Sequence, residues 1–179
     1  MNTARHHTNA WNQTYRYQYC QECEQVQPPR TYHCKQCGEC ILRMDHHCLW
    51  VGTCVGLLNA KFYWQFLLYS ALAMLIMTVS TFSLAGFHLL AILGLVFFFD
   101  FVILLGFHTH LIMTNKTSID RNHLTGNFNI YKRKTRLENW QTIFTTNVFS
   151  WLLPFGPPSV HQALDYQAEV PVGGLVVSE

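Results

Sequence analysis

The sequence is 179 residues long, which would suit one soluble domain, but 50% of its residues are hydrophobic, 15% are aromatic and only 12% are charged. This composition, with a stretch from Phe62 to Asn115 whose one charged residue is Asp100, excludes an ordinary soluble globular protein. The formal net charge of +2 is too small to indicate a nucleic-acid partner.

Residues 1–19 are polar and aromatic and contain no apolar run. We therefore expect a solvated N-terminal tail with no targeting segment. His6 and His7 could bind a metal, but a solvated tail explains them better. The triplet Asn12-Gln13-Thr14 fits the glycosylation pattern, although a site that faces the cytosol would not be used.

Residues 20–61 contain all seven cysteines of the chain, and the spacing of these cysteines predicts a small zinc-bound domain. The cysteines stand at positions 20, 23, 34, 37, 40, 48 and 54, so that a CxxC pair is followed by a CxxCxxC run. Since a metal rather than a hydrophobic core would order such a domain, we expect it to be rich in loops with short hairpins.

The number of candidate ligands in this region exceeds what two zinc sites need. Seven cysteines and three histidines (His33, His46 and His47) make ten candidates, and two four-ligand sites use eight of them. The natural pair to remain free is Cys48 with one neighbouring histidine, beside Asp45. A carboxylate, an imidazole and a thiol in contact form an activated nucleophile. The count does not decide which histidine is the ligand.

Three other interpretations of the cysteines fit less well. A disulfide framework is disfavoured because seven is an odd number and no secretory signal precedes the cysteines. The CxxCxxC run also resembles part of an iron–sulfur binding sequence, but that pattern does not call for His33 and His47. A nucleic-acid-binding zinc finger fits the spacing, although it would be unusual in front of the apolar segments that follow.

Two long apolar runs predict a membrane hairpin. The first covers residues 62–84 and, at ~1.5 Å per residue, spans roughly 34 Å, which is enough for a hydrocarbon layer of ~30 Å. Residues 85–88 form a plausible lumenal turn, and residues 89–113 form a second run. Because Lys and Arg lie only outside the pair, the positive-inside rule predicts that both termini are cytosolic. A reduced cytosol also suits thiolate ligands.

Residues 114–155 are predicted to form a cytosolic segment. Residues 132–136 carry four basic side chains that could meet an anionic leaflet or lie in a solvated loop. Apolar residues from Trp140 to Trp151 recur at mostly helical spacing and predict an amphipathic helix on the membrane or on the spans. Residues 156–179 form a tail with no evident chemistry.

The cysteine-rich region resembles the DHHC protein S-acyltransferases, the palmitoyltransferases. The matching residues are Cys20, Cys23, Pro28-Pro29-Arg30, His33-Cys34, Cys37, Cys40, Asp45-His46-His47-Cys48, Trp50, Cys54-Val55-Gly56 and Asn59. The resemblance implies two structural Zn²⁺ ions held by interleaved ligand sets. One set would be Cys20, Cys23, His33 and Cys40, and the other Cys34, Cys37, His47 and Cys54. Cys48 would then be the acylated nucleophile, with Asp45 and His46 as its activating pair.

The resemblance continues beyond this region. Thr117, Ser118 and Asp120 resemble the family's Thr-Thr-x-Glu motif, which implies a hydrogen bond from Ser118 to Asp45; a polar cap would explain Thr117 and Asp120 equally well. Asn139 matches a C-terminal motif in which an Asn and aromatic residues anchor the tail, whereas Thr145 stands where Gly is common. Three further residues match positions that line the acyl pocket, unless they simply face lipid: Trp50, Tyr63 and Phe66.

The function implied by the resemblance is that of a protein S-palmitoyltransferase with palmitoyl-CoA or another long-chain acyl-CoA as co-substrate. Its partners would be substrate proteins with membrane-proximal cysteines, the lipid bilayer and an optional accessory subunit, but no nucleic acid. It would be an integral protein of the ER, Golgi or plasma membrane.

The sequence also departs from the family pattern. Leu49 replaces a Pro, and Thr53 replaces an Asn. Family members commonly have two more spans before the cysteines, so we expect a fragment, a short isoform or a two-span variant. The alternative function is a catalytically weak, zinc-stabilised membrane adaptor.

Overall fold

The computed structural model describes residues 6–8, 14–16, 18–27, 30–82, 87–122 and 135–154. They belong to two compact units. Among the described residues, the cysteine-rich unit comprises those up to Asn59 and 117–122, and the helical unit comprises 60–82, 87–116 and 135–154. The predicted fold class is confirmed: a loop-rich cysteine-rich domain precedes two apolar helices. The predictions for 85–86, 132–134 and 156–179 lie outside the described residues, as do the first two residues of the glycosylation triplet.

The described part of the cysteine-rich unit is built from four two-stranded antiparallel hairpins. Each strand has three residues, as expected for a domain without an extended sheet. The strands are β1 (His6–Thr8), β2 (Thr14–Arg16), β3 (Gln18–Cys20), β4 (Gln25–Gln27), β5 (Tyr32–Cys34), β6 (Glu39–Ile41), β7 (His46–Cys48) and β8 (Thr53–Val55). The hairpin of β1 and β2 lies within the residues for which the sequence predicted only a tail.

The described part of this unit has almost no apolar core. Its buried hydrophobic side chains are four cysteines together with Val55 and Leu57. Two aliphatic side chains cannot offset the conformational entropy of ordering eight short strands. Another interaction must therefore order the hairpins, and the position of the cysteines at the centre points to metal coordination.

Two long helices dominate the helical unit. The helix α1 covers Ala60–Phe82 and α2 covers His88–Met113, and both are long and apolar enough to cross a membrane. Only 17% and 11% of their most apolar stretches are buried, whereas the core helix of a soluble protein would be mostly buried. The helices pack on each other, and the Trp64 indole of α1 donates a hydrogen bond to the Thr109 hydroxyl of α2 at 2.8 Å.

Two shorter helices follow, α3 (Ser118–Asn122) and α4 (Arg136–Phe144). The helix α4 begins with a capping box, in which the Thr135 hydroxyl accepts from the Glu138 amide and the Glu138 carboxylate accepts from the Thr135 amide. One face of α4 is buried and the opposite face is exposed, so the predicted amphipathic helix is present. Its buried residues are Asn139, Trp140, Ile143 and Phe144.

The amphipathic helix is shorter than its sequence pattern predicts. It ends at Phe144, and the predicted continuation of helical spacing to Trp151 is wrong. Thr145 has a φ of 64° and a ψ of 174°, a conformation that β-branched residues rarely adopt and that stops the helix. The chain then forms a separate 3₁₀ turn at Val148–Trp151.

The contact between α1 and α2 depends on a glycine. A Cβ atom at Gly94 would lie 2.6 Å from the Thr78 hydroxyl and 2.7 Å from the terminal methyl of Met77. At Gly106 of the same helix, no described atom lies within 4 Å of the added carbon. Small residues at such contacts let helix backbones approach closely in a membrane.

We therefore expect Gly94→Ala to destabilise the helical hairpin by about 1–3 kcal/mol, the usual cost of overpacking a close contact. Gly106→Ala is the matched control and should leave stability unchanged or slightly raised, because alanine favours a helix more than glycine does. Thermal unfolding of the two variants in the same detergent measures the difference. An equal midpoint for both variants would contradict the close approach at Gly94.

Candidate functional site

The first predicted ligand set forms a compact cluster. Its four donor atoms lie within 4.8 Å of one another, and we call it the first cluster: Cys20, Cys23, His33 and Cys40. Cys20 ends β3 and Cys23 lies in the turn that follows. His33 and Cys40 are direct partners across the β5–β6 hairpin, and the His33 Nδ1 atom is 3.2 Å from the Cys23 sulfur.

The second predicted set converges in the same way, and we call it the second cluster: Cys34, Cys37, His47 and Cys54. The His47 Nδ1 atom lies 3.3 Å from the Cys37 sulfur and 3.6 Å from the Cys54 sulfur, and these two sulfurs are 3.5 Å apart. Ligands around a tetrahedral zinc, with bonds of about 2.3 Å to sulfur and about 2.1 Å to nitrogen, are separated by about 3.6–3.8 Å. Both the donor types and their spacing therefore fit zinc.

The crowding of thiols also calls for a cation. Burial and the adjacent thiols of Cys40 and Cys20 raise the pKa of Cys23 to about 11. Burial and the neighbouring thiols of the second cluster likewise raise the pKa of Cys54. Thiolates this close repel one another, and a divalent cation at their centre would remove that repulsion. Each cluster is thus able to hold a zinc ion.

Strand alternation separates the two adjacent histidines. Side chains of successive residues in a strand point to opposite faces, so His47 points away from His46 and Cys48. His47 is the direct partner of Cys54 across the β7–β8 hairpin and belongs to the second cluster. His46 and Cys48 share the other face. All seven cysteines lie in described residues, and Cys48 is the one that neither cluster contains.

His46 is oriented by the carboxylate beside it. The His46 Nδ1 atom lies 2.6 Å from Asp45 Oδ2, which leaves Nε2 for the Cys48 thiol. This hydrogen bond to Asp45 raises the pKa of His46, although burial acts in the opposite direction. The imidazole therefore binds a proton more readily than a free histidine does.

The surroundings of Cys48 favour its thiolate. Burial alone would raise the pKa of Cys48, but hydrogen bonds from the backbone amide of Val51, the His46 side chain and the backbone amide of Trp50 outweigh it. The net effect is a pKa below the usual value for a thiol. A thiol of lowered pKa beside a basic imidazole is the arrangement of a cysteine nucleophile.

The start of α3 holds Asp45 in place. The Ser118 backbone amide donates to Asp45 Oδ1 at 2.7 Å, and the Ser118 hydroxyl donates to Asp45 Oδ2 at 2.9 Å. Thr117 and Asp120 form a reciprocal cap, with the Thr117 amide donating to the Asp120 carboxylate and the Asp120 amide donating to the Thr117 hydroxyl. The segment therefore contains both the hydrogen bond from Ser118 to Asp45 and the polar cap of Thr117 and Asp120, which the sequence left as alternatives.

An ion pair that the sequence did not predict anchors the same segment. The Arg30 guanidinium contacts the Asp120 carboxylate, and little of either side chain is exposed, 4% for Arg30 and 11% for Asp120. Arg30 and Asp120 are 90 positions apart, and no spacing pattern links them. In the sequence, Arg30 is only one of the residues that match the family, and nothing there predicts a contact for this side chain. The backbone amides at Val51 and Trp50 were also missed, because backbone donors leave no side-chain signal.

The other predicted site residues have separate surroundings. Trp50 lies in the β7–β8 loop and is 83% exposed. Tyr63 is buried in α1, where its ring centroid lies 6.2 Å from that of Phe66 and 5.0 Å from that of His108. Contact of Trp50, Tyr63 and Phe66 with an acyl chain stays a prediction. Asn139 donates to the Met113 carbonyl at 2.9 Å, which ties α4 to the end of α2.

Comparison with known proteins agrees with this geometry. The model of the DHHC palmitoyltransferase family matches residues 13–89. Proteins named Palmitoyltransferase ZDHHC15 from Rattus norvegicus and Mus musculus are each 35% identical over 158 residues, which cover 77% of this chain. The aligned region covers 47% of each relative, so the chain spans about half the length of the curated relatives it matches.

We expect the purified chain to contain two zinc ions, one for each cluster. Cys40→Ser removes a ligand of the first cluster and should lower the zinc content towards one ion per chain. Cys48→Ser is the matched control and should leave the zinc content unchanged, because Cys48 belongs to neither cluster. Elemental analysis of the three proteins measures this, and loss of zinc from Cys48→Ser would contradict the proposed ligand sets.

Proposed function

The chain belongs to the DHHC palmitoyltransferase family, and from this premise we propose that it is a protein S-palmitoyltransferase. It would transfer a long-chain fatty acyl group from acyl-CoA to Cys48 and then to a cysteine of a substrate protein. The observation that carries the proposal is the position of Cys48. It is the one cysteine outside both clusters, and it lies beside an imidazole that a buried carboxylate orients.

The first half-reaction forms an acyl-enzyme. The Cys48 thiol gives its proton to His46 Nε2, and the resulting thiolate attacks the carbonyl carbon of the acyl-CoA thioester. The bond between that carbon and the sulfur of CoA breaks, and the departing CoA thiolate takes the proton from His46. Asp45 stabilises the protonated imidazole throughout this step and keeps its Nε2 atom towards the sulfur.

The second half-reaction uses the same residues in the same roles. A cysteine thiol of the substrate protein gives its proton to His46, and its thiolate attacks the carbonyl carbon of the Cys48 thioester. Cys48 leaves as a thiolate that the amides of Val51 and Trp50 stabilise, and it then takes the proton back from His46, which restores the starting state of both residues. A lowered pKa makes Cys48 a better leaving group and therefore assists this transfer as well.

The two clusters would hold zinc with a structural role. Each offers three cysteine sulfurs and one histidine nitrogen, and four protein ligands leave no open position for a substrate. Bound zinc would fix the β5–β6 and β7–β8 hairpins and would add positive charge near Cys48. Zinc would thereby hold His46 and Cys48 in position, although neither residue coordinates it.

The two apolar helices support a membrane protein, and we propose that both chain termini are cytosolic. Substrates would then be proteins whose cysteines lie close to the cytosolic face of an ER, Golgi or plasma membrane. The ZDHHC15 relatives are about twice as long as the aligned region, and we propose that further segments or an accessory subunit complete the acyl site. The groups that we propose activate Cys48, namely Asp45, His46 and the amides of Trp50 and Val51, lie among the described residues of this chain.

We expect labelled palmitoyl-CoA to label the purified chain at Cys48 through a thioester that hydroxylamine cleaves. Cys48→Ser should carry no such label, because its hydroxyl is far less nucleophilic than a thiolate at neutral pH. The zinc content of this variant is measured in parallel and should match that of the parent. Equal labelling of parent and variant would contradict the enzyme and would favour a zinc-stabilised membrane adaptor.

Ser118 provides a second test, since its hydroxyl positions Asp45 from outside the reacting atoms. We expect Ser118→Ala to slow labelling of Cys48 by about tenfold, which corresponds to the loss of one charge-assisted hydrogen bond. Ser118→Thr keeps the hydroxyl and should restore the rate. Both variants should retain zinc, because Ser118 is not a ligand. An equal rate in Ser118→Ala and Ser118→Thr would contradict the positioning role.

A further inference from the structure

The residues after α4 expose an apolar surface with no cover from the described part of the helical unit. We call residues 147–153 the 3₁₀ segment. Apart from Trp151, whose ring packs against Trp140, its four large apolar side chains are exposed: Val148 at 61%, Phe149 at 85%, Leu152 at 55% and Leu153 at 47%. Contiguous exposure of this kind marks a surface that contacts a partner or a membrane.

The backbone of this segment is hydrogen-bonded by two polar side chains of α1. The side-chain nitrogen of Gln65, Nε2, donates to the backbone carbonyl of Trp151 at 2.9 Å and to that of Leu153 at 3.0 Å. The Tyr69 hydroxyl donates to the carbonyl of Leu152. Three consecutive carbonyls outside any α-helix thus accept from side chains. Such pairing is needed in a hydrocarbon environment, where water cannot satisfy free backbone groups.

The contacts with α1 also set the depth of the segment. Lys61 is the last basic residue before the apolar run, so the membrane boundary lies close to the start of α1 at Ala60. Gln65 and Tyr69 follow Ala60 by five and nine residues, which corresponds to about 8 Å and about 14 Å along the helix axis. Carbonyls that accept from these side chains lie below the membrane surface, beside the first turns of the span.

The segment is held rigidly to α4 through its tryptophan. The Trp151 indole donates to the carbonyl of Thr145 at 3.0 Å, and its ring packs edge-on against Trp140 with centroids 5.7 Å apart. The polar atom of Trp151 is therefore satisfied while its exposed neighbours remain apolar. Phe149 and Leu152 cannot turn inwards without breaking the contacts that hold this cluster.

We propose that the 3₁₀ segment is a membrane-embedded anchor whose exposed side chains contact lipid acyl chains of the cytosolic leaflet. Gln65 and Tyr69 are the side chains that seat its backbone there. This inference rests on the proposed crossing of the membrane by α1 from the cytosolic side. It assigns the membrane contact to the turn after the amphipathic helix rather than to the exposed face of α4, which carries Arg136 and Glu138.

The test uses tryptophan fluorescence in vesicles whose phospholipids carry bromine either near the headgroup or near the middle of the acyl chain. Phe149→Trp adds a reporter to the segment, and its signal is taken as the difference from the parent chain. Leu72→Trp adds a reference reporter on the exposed side of α1, near the middle of the span. Phe149 is 85% exposed and Leu72 is 46% exposed, so a tryptophan at either position can extend away from the packed side of its element.

We expect the reporter at position 149 to show blue-shifted emission and clear quenching by the brominated lipids, because its side chain contacts the acyl chains. The reporter at position 72 should be quenched more strongly by bromine near the middle of the chain. If position 72 is quenched and position 149 emits as a water-exposed indole, the anchor is wrong while the membrane span stands. If neither reporter is quenched, the span assignment fails, and the anchor fails with it.

Removal of the hydrogen bonds tests the role of Gln65. Gln65→Met keeps the size of the side chain but has no donor, so the reporter at position 149 should lose quenching and shift towards the red. The matched control is Gln141→Met on α4, a half-buried glutamine, which should leave the reporter unchanged. Unchanged quenching in Gln65→Met would overturn the proposed seating of the segment.

Discussion

The alternation of side chains along the three residues of β7 is the constraint on which the candidate site depends. His46, His47 and Cys48 are consecutive, and an extended backbone must place the middle residue on the opposite face from the other two. His47 is thereby given to the second cluster, while His46 and Cys48 are left together beside Asp45. A one-residue change of register would turn every side chain of β7 to the opposite face. His46 and Cys48 would then point towards the second cluster, and His47 would point away from it. The pairing of His47 with Cys54 across the hairpin fixes the register.

The two units obtain their order from different sources. The described part of the cysteine-rich unit has only Val55 and Leu57 as buried aliphatic residues, so coordination at two clusters substitutes for a core. The helical unit leaves most of α1 and α2 exposed, as suits helices whose surroundings are lipid. Buried polar contacts add specificity within each unit. Arg30 with Asp120 anchors the segment that holds Asp45, and Asn139 with the Met113 carbonyl ties α4 to α2.

The extent to which the sequence predicts this molecule follows the range of each interaction. Cysteine spacing and apolar length are local signals, so the ligand-rich domain and the two long helices could be predicted, and the ligand count suggested that one thiol and one histidine would be left over. The ligand count left the identity of the free histidine open, because a three-residue strand does not reveal its alternation in advance, and only the family resemblance implied that it is His46. Long-range pairs such as Arg30 with Asp120 and Gln65 with the Trp151 carbonyl leave no local pattern. The end of α4 was missed because Thr145 adopts a backbone conformation that its side chain disfavours.

X-ray absorption at the zinc edge tests the division of the two histidines most directly. The account predicts an average shell of three sulfurs and one nitrogen for each zinc, as the two clusters provide. His46→Ala should leave that shell unchanged, whereas His47→Ala should reduce its nitrogen contribution or release one metal ion. A shell that changes with His46→Ala and persists with His47→Ala would contradict the account, because the imidazole proposed to activate Cys48 would then be a zinc ligand.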